Sequence, residues 1–525
     1  MRKIEIFKNV GASWLSLGVN ILVGIFLSPF ILHRLGNLAY GAWVLAFSVT
    51  GYYGLFDLGI RSSIIRYVST YTATGDMDGL CKLINTGLTA YSVIGGLAMV
   101  AALVVSASVD TLFRIPADFV PTARWLFLMV GGSVALGFPS GMFAGILEGM
   151  NRFYVTNLTN LVSTLLRAVL IVLALTHGYG LLTVAFITVS LPLIASGVRA
   201  AIVLRLLPLR FSWKYVDRSA FHEISRYSSV SLIIMVAYKL RFKTDEIVIS
   251  TLLSVSAVTF FSNGDRLVDY AGDVVSSLAQ IFLPMSGQSD ATGNREQLRK
   301  IFILGNRACA FVIFPISATL IILGKSVITA WVGARYVVAS YPVMLILLIP
   351  STFFLAQSAS SRILYGMARH RILAWITSME GIANLILSVV LIRRYGILGD
   401  ALGTAIPLTC TALFFYPRHL CRLLDVRLAT FLRQAYMLPA LLCVPTIAAL
   451  LWMRYWFFAH TYREVGMQIF IGLLPYGLGL TWAIRTKNIS NCIKFSVGAA
   501  QNETGATLLE THLTEPQTGP PTKIR

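Results

Sequence analysis

Apolar stretches of about 20 residues recur along this chain from near its start to about residue 485. Folded as an α-helix, a stretch of that length crosses the hydrocarbon core of a bilayer, which is about 30 Å thick. Only 13% of the 525 residues are charged, whereas ordinary soluble domains carry roughly 25%, so the chain has too little polar surface to cover itself in water. We therefore predict an all-α polytopic membrane protein.

The apolar stretches and their flanking charges together predict 14 transmembrane helices. Lys and Arg are concentrated in alternate connections, which is the pattern of cytoplasmic loops. We expect a multi-pass protein of the cytoplasmic (inner) membrane with both termini in the cytoplasm. The predicted spans are residues 10–32, 38–60, 83–108, 122–147, 155–176, 180–204, 227–252, 256–285, 301–324, 336–365, 370–392, 397–417, 433–453 and 465–484.

A weak internal repeat relates the two halves of the chain at an offset of 216 to 218 residues. Gly75 corresponds to Gly293, for example, and Gly149 to Gly366. Because six predicted spans, an even number, separate the copies, both copies have the same orientation, as in a parallel repeat. The predicted parts are an N-terminal six-helix lobe (1–215), a C-terminal six-helix lobe (216–425), two extra transmembrane helices (426–485) and a largely disordered cytoplasmic tail (486–525).

Charged side chains inside the predicted spans are the first candidates for function. A charge at the middle of a bilayer costs at least about 2.5 kcal/mol on insertion scales, so each must face a cavity, a partner or the interface. Asp265, Asp269 and Asp273 are spaced by four residues, which places them on one face of a helix. The densest group lies in the seventh and eighth spans and consists of Lys239, Arg241, Lys243, Asp245, Glu246, Asp265, Arg266, Asp269 and Asp273.

One interpretation of this group is a ladder of ion pairs. If the turn between the two helices lies near Ser254, Lys243 and Asp265 are equally far from it, and so are Lys239 and Asp269. The pairs would then clamp the hairpin together or extend to the outer surface.

The other interpretation is a binding cavity, and the residues alone leave both open. Guanidinium and ammonium groups, among them Arg241 and Arg266, would receive a lipid diphosphate. Asp273 belongs to neither of the two proposed ion pairs. It would then be a candidate ligand for a coupling cation, together with the other aspartates of the group.

The repeat indicates further polar positions within the membrane. Arg167 and Asn384 correspond at the same offset, and Glu380 lies one turn before Asn384. We expect these three residues to line the cavity, with an interhelical hydrogen bond as the alternative for Arg167. Asp57 and Arg61, one turn apart near the inner end of the second span, are predicted to form a local pair at the cytoplasmic mouth, with substrate contact as the alternative.

Short motifs scattered along the chain carry a resemblance to a known family. They are Asp57-Leu58-Gly59-Ile60, Arg66-Tyr67-Val68-Ser69, the run from Gly145 to Arg152, the run from Thr244 to Ile249, Leu283-Pro284 and Tyr395-Gly396-Ile397-Leu398-Gly399. Through them the chain resembles the polysaccharide-biosynthesis flippases, the O-antigen and exopolysaccharide exporters of the multidrug/oligosaccharidyl-lipid/polysaccharide exporter superfamily. Asp400 and Phe260-Phe261 depart from the residues that are common in that family.

The resemblance implies a transporter with a 12-helix, two-lobed core and two extra helices. Its expected substrate is a lipid-linked oligosaccharide, carried on undecaprenyl diphosphate and moved across the membrane by alternating access for cell-surface polysaccharide biosynthesis. A cation-coupled multidrug exporter of the same superfamily is the first alternative. A membrane-embedded glycosyltransferase or polymerase is an alternative from a different class.

Other features of the sequence limit the chemistry that we expect. No Walker-type glycine loop is present, so ATP hydrolysis by this chain is not expected. The six cysteines have no metal-ligand spacing, so a zinc site is not supported. We expect no catalytic residues and no cofactor beyond a coupling Na⁺ or H⁺. The expected partners are the lipid-linked oligosaccharide, the lipid bilayer, and a polysaccharide polymerase with its chain-length machinery; no nucleic acid is expected despite the net charge of +20.

Overall fold

The structure is a computed structural model that describes residues 3–51, 60–217, 244–367, 369 and 371–485. These residues are almost entirely helical, and no β-strand occurs among them. Within this part of the chain, 11 helices are long and apolar enough to cross a membrane. The prediction of an all-α polytopic membrane protein is therefore confirmed, whereas the count of 14 spans stays a prediction.

The N-terminal half consists of long helices joined by short connections. Its longest helix contains the first predicted span and residues 38–51 of the second, with a kink at Gly36 where φ is 81°. The 3₁₀ turns of this half are Ala117–Phe119 and Trp213–Tyr215. The helices are α1 (Lys3–Gly51), α2 (Ile60–Thr74), α3 (Met77–Ala107), α4 (Val109–Leu112), α5 (Val120–Gly149), α6 (Phe153–Thr176) and α7 (Leu181–Leu206).

The C-terminal half also consists largely of long helices. A 3₁₀ turn at Ala334–Tyr336 and π-helical turns at Thr411–Phe415 and Arg433–Met437 connect some of them. The helices are α8 (Asp245–Leu252), α9 (Val255–Ala279), α10 (Phe282–Ala291), α11 (Arg295–Trp331), α12 (Val337–Ala356), α13 (Ser358–Gly366), α14 (Arg371–Tyr395), α15 (Ile397–Cys410), α16 (Tyr416–Leu423), α17 (Leu428–Leu432), α18 (Leu438–Trp456) and α19 (Tyr462–Arg485).

The same turn is built twice, before α3 and before α11. Gly75 and Gly293 have positive φ values of 73° and 66°, which residues with a Cβ rarely adopt. Asp76 and Asn294 follow them and cap the helices, each accepting a hydrogen bond from the amide three residues later, at 2.8 and 2.9 Å. These turns lie at the offset that the sequence repeat predicts. The axis that would relate the two lobes stays a prediction.

The two halves meet along a seam between α1 and α9. Hydrogen bonds join the halves, among them Thr259 Oγ1 to the Asn37 carbonyl at 2.7 Å, Tyr336 Oη to Asn37 Oδ1 at 2.5 Å, and Trp331 Nε1 to the Ile25 carbonyl at 2.6 Å. The largest buried apolar cluster also contains residues of both halves and surrounds this seam. The contact therefore includes the kink of α1 and the start of α9 and extends along both helices to Ser28 and Arg266.

Candidate functional site

A cavity of about 360 Å³ lies in the C-terminal half. Four aspartates of the predicted charge group line it, and hydroxyl groups and one arginine face them from α12, α13, α15 and α16. The structure thus brings these carboxylates to one cavity, as the cavity interpretation expects. The charged and aromatic polar residues of the lining are Asp245, Asp265, Asp269, Asp273, Arg362, Tyr365 and Tyr416.

The hairpin of α8 and α9 positions the aspartates. α8 ends at Leu252, and the side chain of Ser254 caps α9 by accepting a hydrogen bond from the Ala257 amide at 3.2 Å. The turn therefore lies where the ladder interpretation requires it. The proposed ladder partners Lys239 and Lys243 lie outside the described residues, so the ladder stays a prediction. Arg241, which the cavity interpretation assigns to the substrate, also lies outside them.

Asp273 differs from the expectation in one respect. It lines the cavity, but it takes part in a polar or electrostatic interaction. The expectation of a carboxylate without a partner is therefore wrong. Residues of other helices that the hairpin alone does not reveal, among them Arg362 and Tyr365, line the same cavity.

Behind Asp245 lies a buried network of hydrogen bonds between α8, α14 and α15. Thr404 Oγ1 donates to both carboxylate oxygens of Asp245, at 3.1 and 3.2 Å, and accepts from Asn384 Nδ2 at 2.9 Å. Ser388 Oγ lies 3.2 Å from Asn384 Oδ1 and from the Asp400 carbonyl. Asn384 thus contacts Asp245 through Thr404 and does not line the cavity itself.

Two further acidic residues are buried beside this network. Glu380 accepts a hydrogen bond from Thr411 Oγ1 at 3.1 Å and, like Asn384, is absent from the cavity lining. Asp400 is 0% exposed, and neither of its carboxylate oxygens has a hydrogen-bond partner among the described residues. Asp245 and Glu246 act on it electrostatically. This part of the C-terminal half therefore holds four buried carboxylates, those of Asp245, Glu246, Glu380 and Asp400.

Arg266 lies at the seam between the halves and is not in the cavity lining. Its Nη1 donates to Ser28 Oγ of α1 at 3.3 Å, and Tyr40 and Tyr270 act on it electrostatically. Because α9 presents Asp265 and Asp269 toward the cavity, a residue between them on the helix faces a different neighbour. The placement of Arg266 indicates a contact between the halves.

A second polar cluster lies in the N-terminal half. Arg61 Nη2 forms an ion pair with Glu148 Oε1 at 2.5 Å. Arg199, which is 7% exposed, donates from Nη1 to Asn160 Oδ1 at 2.8 Å and from Nη2 to Ser196 Oγ at 2.7 Å. Asp57, the predicted partner of Arg61, lies outside the described residues.

Arg167 is half-buried on α6, two turns beyond Asn160. It forms neither a hydrogen bond nor an ion pair with the residues that the structure describes. Between the two, Thr164 Oγ1 donates to Asn20 Oδ1 of α1 at 3.2 Å. This face of α6 is therefore polar over about two turns.

The comparison with known proteins agrees with this fold. A profile of the polysaccharide biosynthesis protein family matches residues 6–290, more than half of the chain. The chain belongs to this family. A putative O-antigen transporter of Shigella flexneri is 21% identical over 421 residues, which cover 78% of this chain and 96% of that protein. An uncharacterized membrane protein, EpsK of Bacillus subtilis (strain 168), is 22% identical over 438 residues, covering 81% and 85%.

Solved structures share the fold at low sequence identity. The lipid II flippase MurJ in an inward closed conformation superimposes with a TM-score of 0.71 at 16% identity, covering 90% of this chain and 98% of that one. An inward-facing multidrug resistance transporter of the MATE family gives a TM-score of 0.63 at 16% identity, covering 78% and 94%. The described helices of this family member therefore adopt the architecture of these transporters.

Sequence reasoning missed three residues of this polysaccharide biosynthesis family member that the structure places in polar clusters. Arg199 lies inside the predicted sixth span, so its charge alone was a sufficient signal. Glu148 and Asp400 lie within or next to the motifs that carry the family resemblance. Their long-range neighbours depend on helix packing, which no local pattern reveals.

Proposed function

We propose that this protein is a flippase that moves a lipid-linked oligosaccharide across the cytoplasmic membrane for cell-surface polysaccharide biosynthesis. The observation that carries the proposal is a charged, hydroxyl-lined cavity of about 360 Å³ within a helical membrane protein of the polysaccharide biosynthesis family. Ionisable groups within a membrane are costly and mark substrate or ion pathways. A relative named a putative O-antigen transporter and the fold shared with a lipid II flippase support the proposal.

The cavity has the chemistry to hold a sugar. Carboxylates such as Asp265 and Asp269 accept hydrogen bonds from sugar hydroxyls, and Tyr365 and Tyr416 can both donate and accept. Its volume is within the range of small-molecule sites, roughly 300 to 1,000 Å³. In this proposal the oligosaccharide occupies the cavity while the polyprenyl tail of the carrier stays in lipid.

The diphosphate of the carrier, proposed to be undecaprenyl diphosphate, requires positive charge. Guanidinium groups form strong, bidentate hydrogen bonds with phosphate oxygens. Arg61 and Arg167 supply such groups in the N-terminal half. Arg241, which lies outside the described residues, completes the basic set of the proposal. Lys239 and Lys243, which also lie outside them, neutralise the cavity aspartates through the predicted ladder.

Transport by alternating access requires the seam between α1 and α9 to open and close. The hydrogen bonds to Asn37 are polar contacts that water can replace when the halves separate.

Coupling to Na⁺ or H⁺ through Asp245, Asp273 and their neighbours is the remaining part of the proposal. A buried carboxylate whose charge is costly is suited to bind a cation in one state and release it in the other.

A cation-coupled multidrug exporter is the second candidate function. One observation favours it: four carboxylates and a single guanidinium are the charged groups among the described residues of the cavity lining, an arrangement that attracts a cation. Structures of MATE transporters share the fold. The two candidates therefore differ in the charge of the molecule that enters the cavity.

Proteoliposomes that contain the purified full-length protein test the proposal. A fluorescent undecaprenyl-diphosphate oligosaccharide is placed in both leaflets, and dithionite added outside reduces only the label it can reach. We expect wild-type protein to expose the whole lipid pool and Asp269→Asn to slow that exposure. Asp78→Asn, which breaks the exposed Lys82–Asp78 pair of 3.1 Å with the same charge change, is the matched control. Movement of a cationic dye with a static lipid pool would assign the exporter, and new glycosidic bonds would assign an enzyme.

We also propose cytoplasmic termini and contact with a polymerase and its chain-length machinery. The basic connections between predicted spans support the orientation. A C-terminal alkaline phosphatase fusion is expected to be inactive and a C-terminal green fluorescent protein fusion to be fluorescent. The opposite pair of results contradicts the orientation.

A further inference from the structure

Four helices of the N-terminal half contribute to one polar cluster that contains two guanidinium groups and one carboxylate. Arg61 comes from α2, Glu148 from α5, Asn160 from α6 and Arg199 from α7. The Arg61–Glu148 ion pair measures 2.5 Å. Both members of that pair also act electrostatically on Arg199. The cluster therefore holds two positive charges and one negative charge.

Arg199 is an incompletely satisfied cation. The residue is 7% exposed, and Asn160 and Ser196 accept hydrogen bonds from its two terminal nitrogens. Its Nε is buried without a hydrogen-bond partner among the described residues. Since both acceptors are neutral, the Arg199 charge has no ion pair of its own within hydrogen-bonding distance in this part of the chain. One donor remains available to an anion.

Glu148 depends on a cation for its charge. Its side chain is 12% exposed, and it is the penultimate residue of α5. The carboxyl end of a helix carries partial negative charge, which disfavours a carboxylate. If Arg61 releases Glu148, the carboxylate requires another positive partner.

Arg61 is the accessible member of the cluster. Its side chain is 49% exposed, so a bound molecule can reach the guanidinium. A phosphate offers more acceptor oxygens than a carboxylate and matches the guanidinium geometry. An incoming phosphate therefore competes with Glu148 for Arg61.

We propose that Glu148 is a counter-ion that changes partners, leaving Arg61 for Arg199 when a phosphate of the substrate binds Arg61. Rotation of the Glu148 side chain pairs it with the Nε of Arg199, so neither the carboxylate nor Arg199 stays unpaired. When the phosphate leaves, Glu148 returns to Arg61 and helps to release it. Glu148 and Arg199 are thus positioning residues for an anionic head group. This inference rests on the proposed function and deepens it.

A double-mutant cycle on the full-length protein in lipid nanodiscs tests the exchange. The probe is farnesyl diphosphate, with farnesol as its uncharged counterpart, and the measured quantity is the dissociation constant. We expect Glu148→Gln to tighten binding of the diphosphate by about tenfold, because Glu148 no longer competes with the phosphate for Arg61. Arg199→Gln should weaken binding by about tenfold, because Glu148 then has no second partner and stays on Arg61. In the Glu148→Gln background, Arg199→Gln should have no further effect.

The cycle separates this exchange from the other roles of Arg199. An equal loss of affinity from Arg199→Gln in both backgrounds would mean that Arg199 binds the phosphate directly, and it overturns the exchange. Unchanged affinity in Glu148→Gln overturns it as well. Arg199→Lys, which keeps the charge, guards against misfolding: it is expected to retain part of the wild-type response. Asp78→Asn is the control for the change in charge.

Two further measurements identify the ligand and distinguish failure of this inference from failure of the proposed function. If glucuronate binding responds to Glu148→Gln and farnesyl diphosphate binding does not, the cluster recognises a sugar carboxylate and the phosphate assignment is wrong. The same preparation is assayed for movement of the lipid-linked oligosaccharide. If the wild-type protein moves the lipid but the cycle shows no coupling between Glu148 and Arg199, only the exchange is refuted. If the wild-type protein does not move the lipid, the proposed function is refuted.

Discussion

Replacing Gly41 by alanine should disfavour the closed seam between α1 and α9. A Cβ atom at this position would overlap the Val255 carbonyl oxygen and lie 3.0 Å from Thr259 Oγ1. The carbonyl belongs to the helix backbone and cannot rotate away as a side chain can. The clash is therefore relieved only by moving α1 and α9 apart.

The size of the effect follows from the cost of overpacking. Inserting a methyl group into a well-packed contact costs typically about 1 to 3 kcal/mol, which corresponds to a population shift of roughly 5- to 150-fold. The assay is labelling of Ser351→Cys, a position in the cavity lining, by a membrane-impermeant maleimide added from the side of the seam. We expect Gly41→Ala to raise the labelling rate, with labelling of the parent protein's own cysteines subtracted.

Gly96→Ala is the matched control for this experiment. A Cβ at Gly96 would meet no atom within 4 Å, and both substitutions gain the same helix propensity of about 1 kcal/mol. Gly96→Ala should therefore leave labelling unchanged. An unchanged labelling rate in Gly41→Ala would mean that the two halves do not separate at this seam, and it would remove the structural basis for alternating access.

Two other substitutions test contacts of the C-terminal half. Thr404→Val removes the hydroxyl that joins Asp245 to the α14 network. It should lower the free energy of unfolding by about 1 to 3 kcal/mol because buried polar atoms lose their partner, whereas Thr404→Ser should retain most of the stability in a thermal unfolding assay. Phe431→Ala deletes a buried ring stacked 4.4 Å from that of Phe302 and should cost about 3 to 5 kcal/mol, whereas Phe470→Ala, at a position 69% exposed, should leave the midpoint nearly unchanged.

The features that could be predicted from the sequence depend on local spacing. Asp265, Asp269 and Asp273 share one cavity because a spacing of four residues places side chains on one face of a single helix. Gly75 and Gly293 form matching turns because a positive φ favours glycine. The helical class follows equally well, since a chain in lipid must satisfy its backbone hydrogen bonds within each segment.

The features that could not be predicted depend on contacts between distant segments. Glu148 and Arg61 are 87 residues apart, and Arg199 and Asn160 are 39 apart, so their pairing requires knowledge of how α2, α5, α6 and α7 pack. The contact of Arg266 with Ser28 of α1 has a related origin. Its charge marked it as a candidate for the cavity, but which face of α9 meets α1 depends on how the two helices pack.

The charge of the cavity decides between the two candidate functions, and it depends on whether the predicted ladder exists. Ser254 caps α9, so the turn has the position that makes Lys243 and Asp265 equally distant from it. We therefore expect Lys243→Asp and Asp265→Lys each to abolish transport, and the double variant to restore it, because the swapped pair keeps both charges compensated. Restored transport means that lysines neutralise the aspartates, so the cavity can admit the anionic substrate of a flippase. Continued loss in a double variant that reaches the membrane at wild-type levels would refute the ladder, since each side chain would then be required for its own charge.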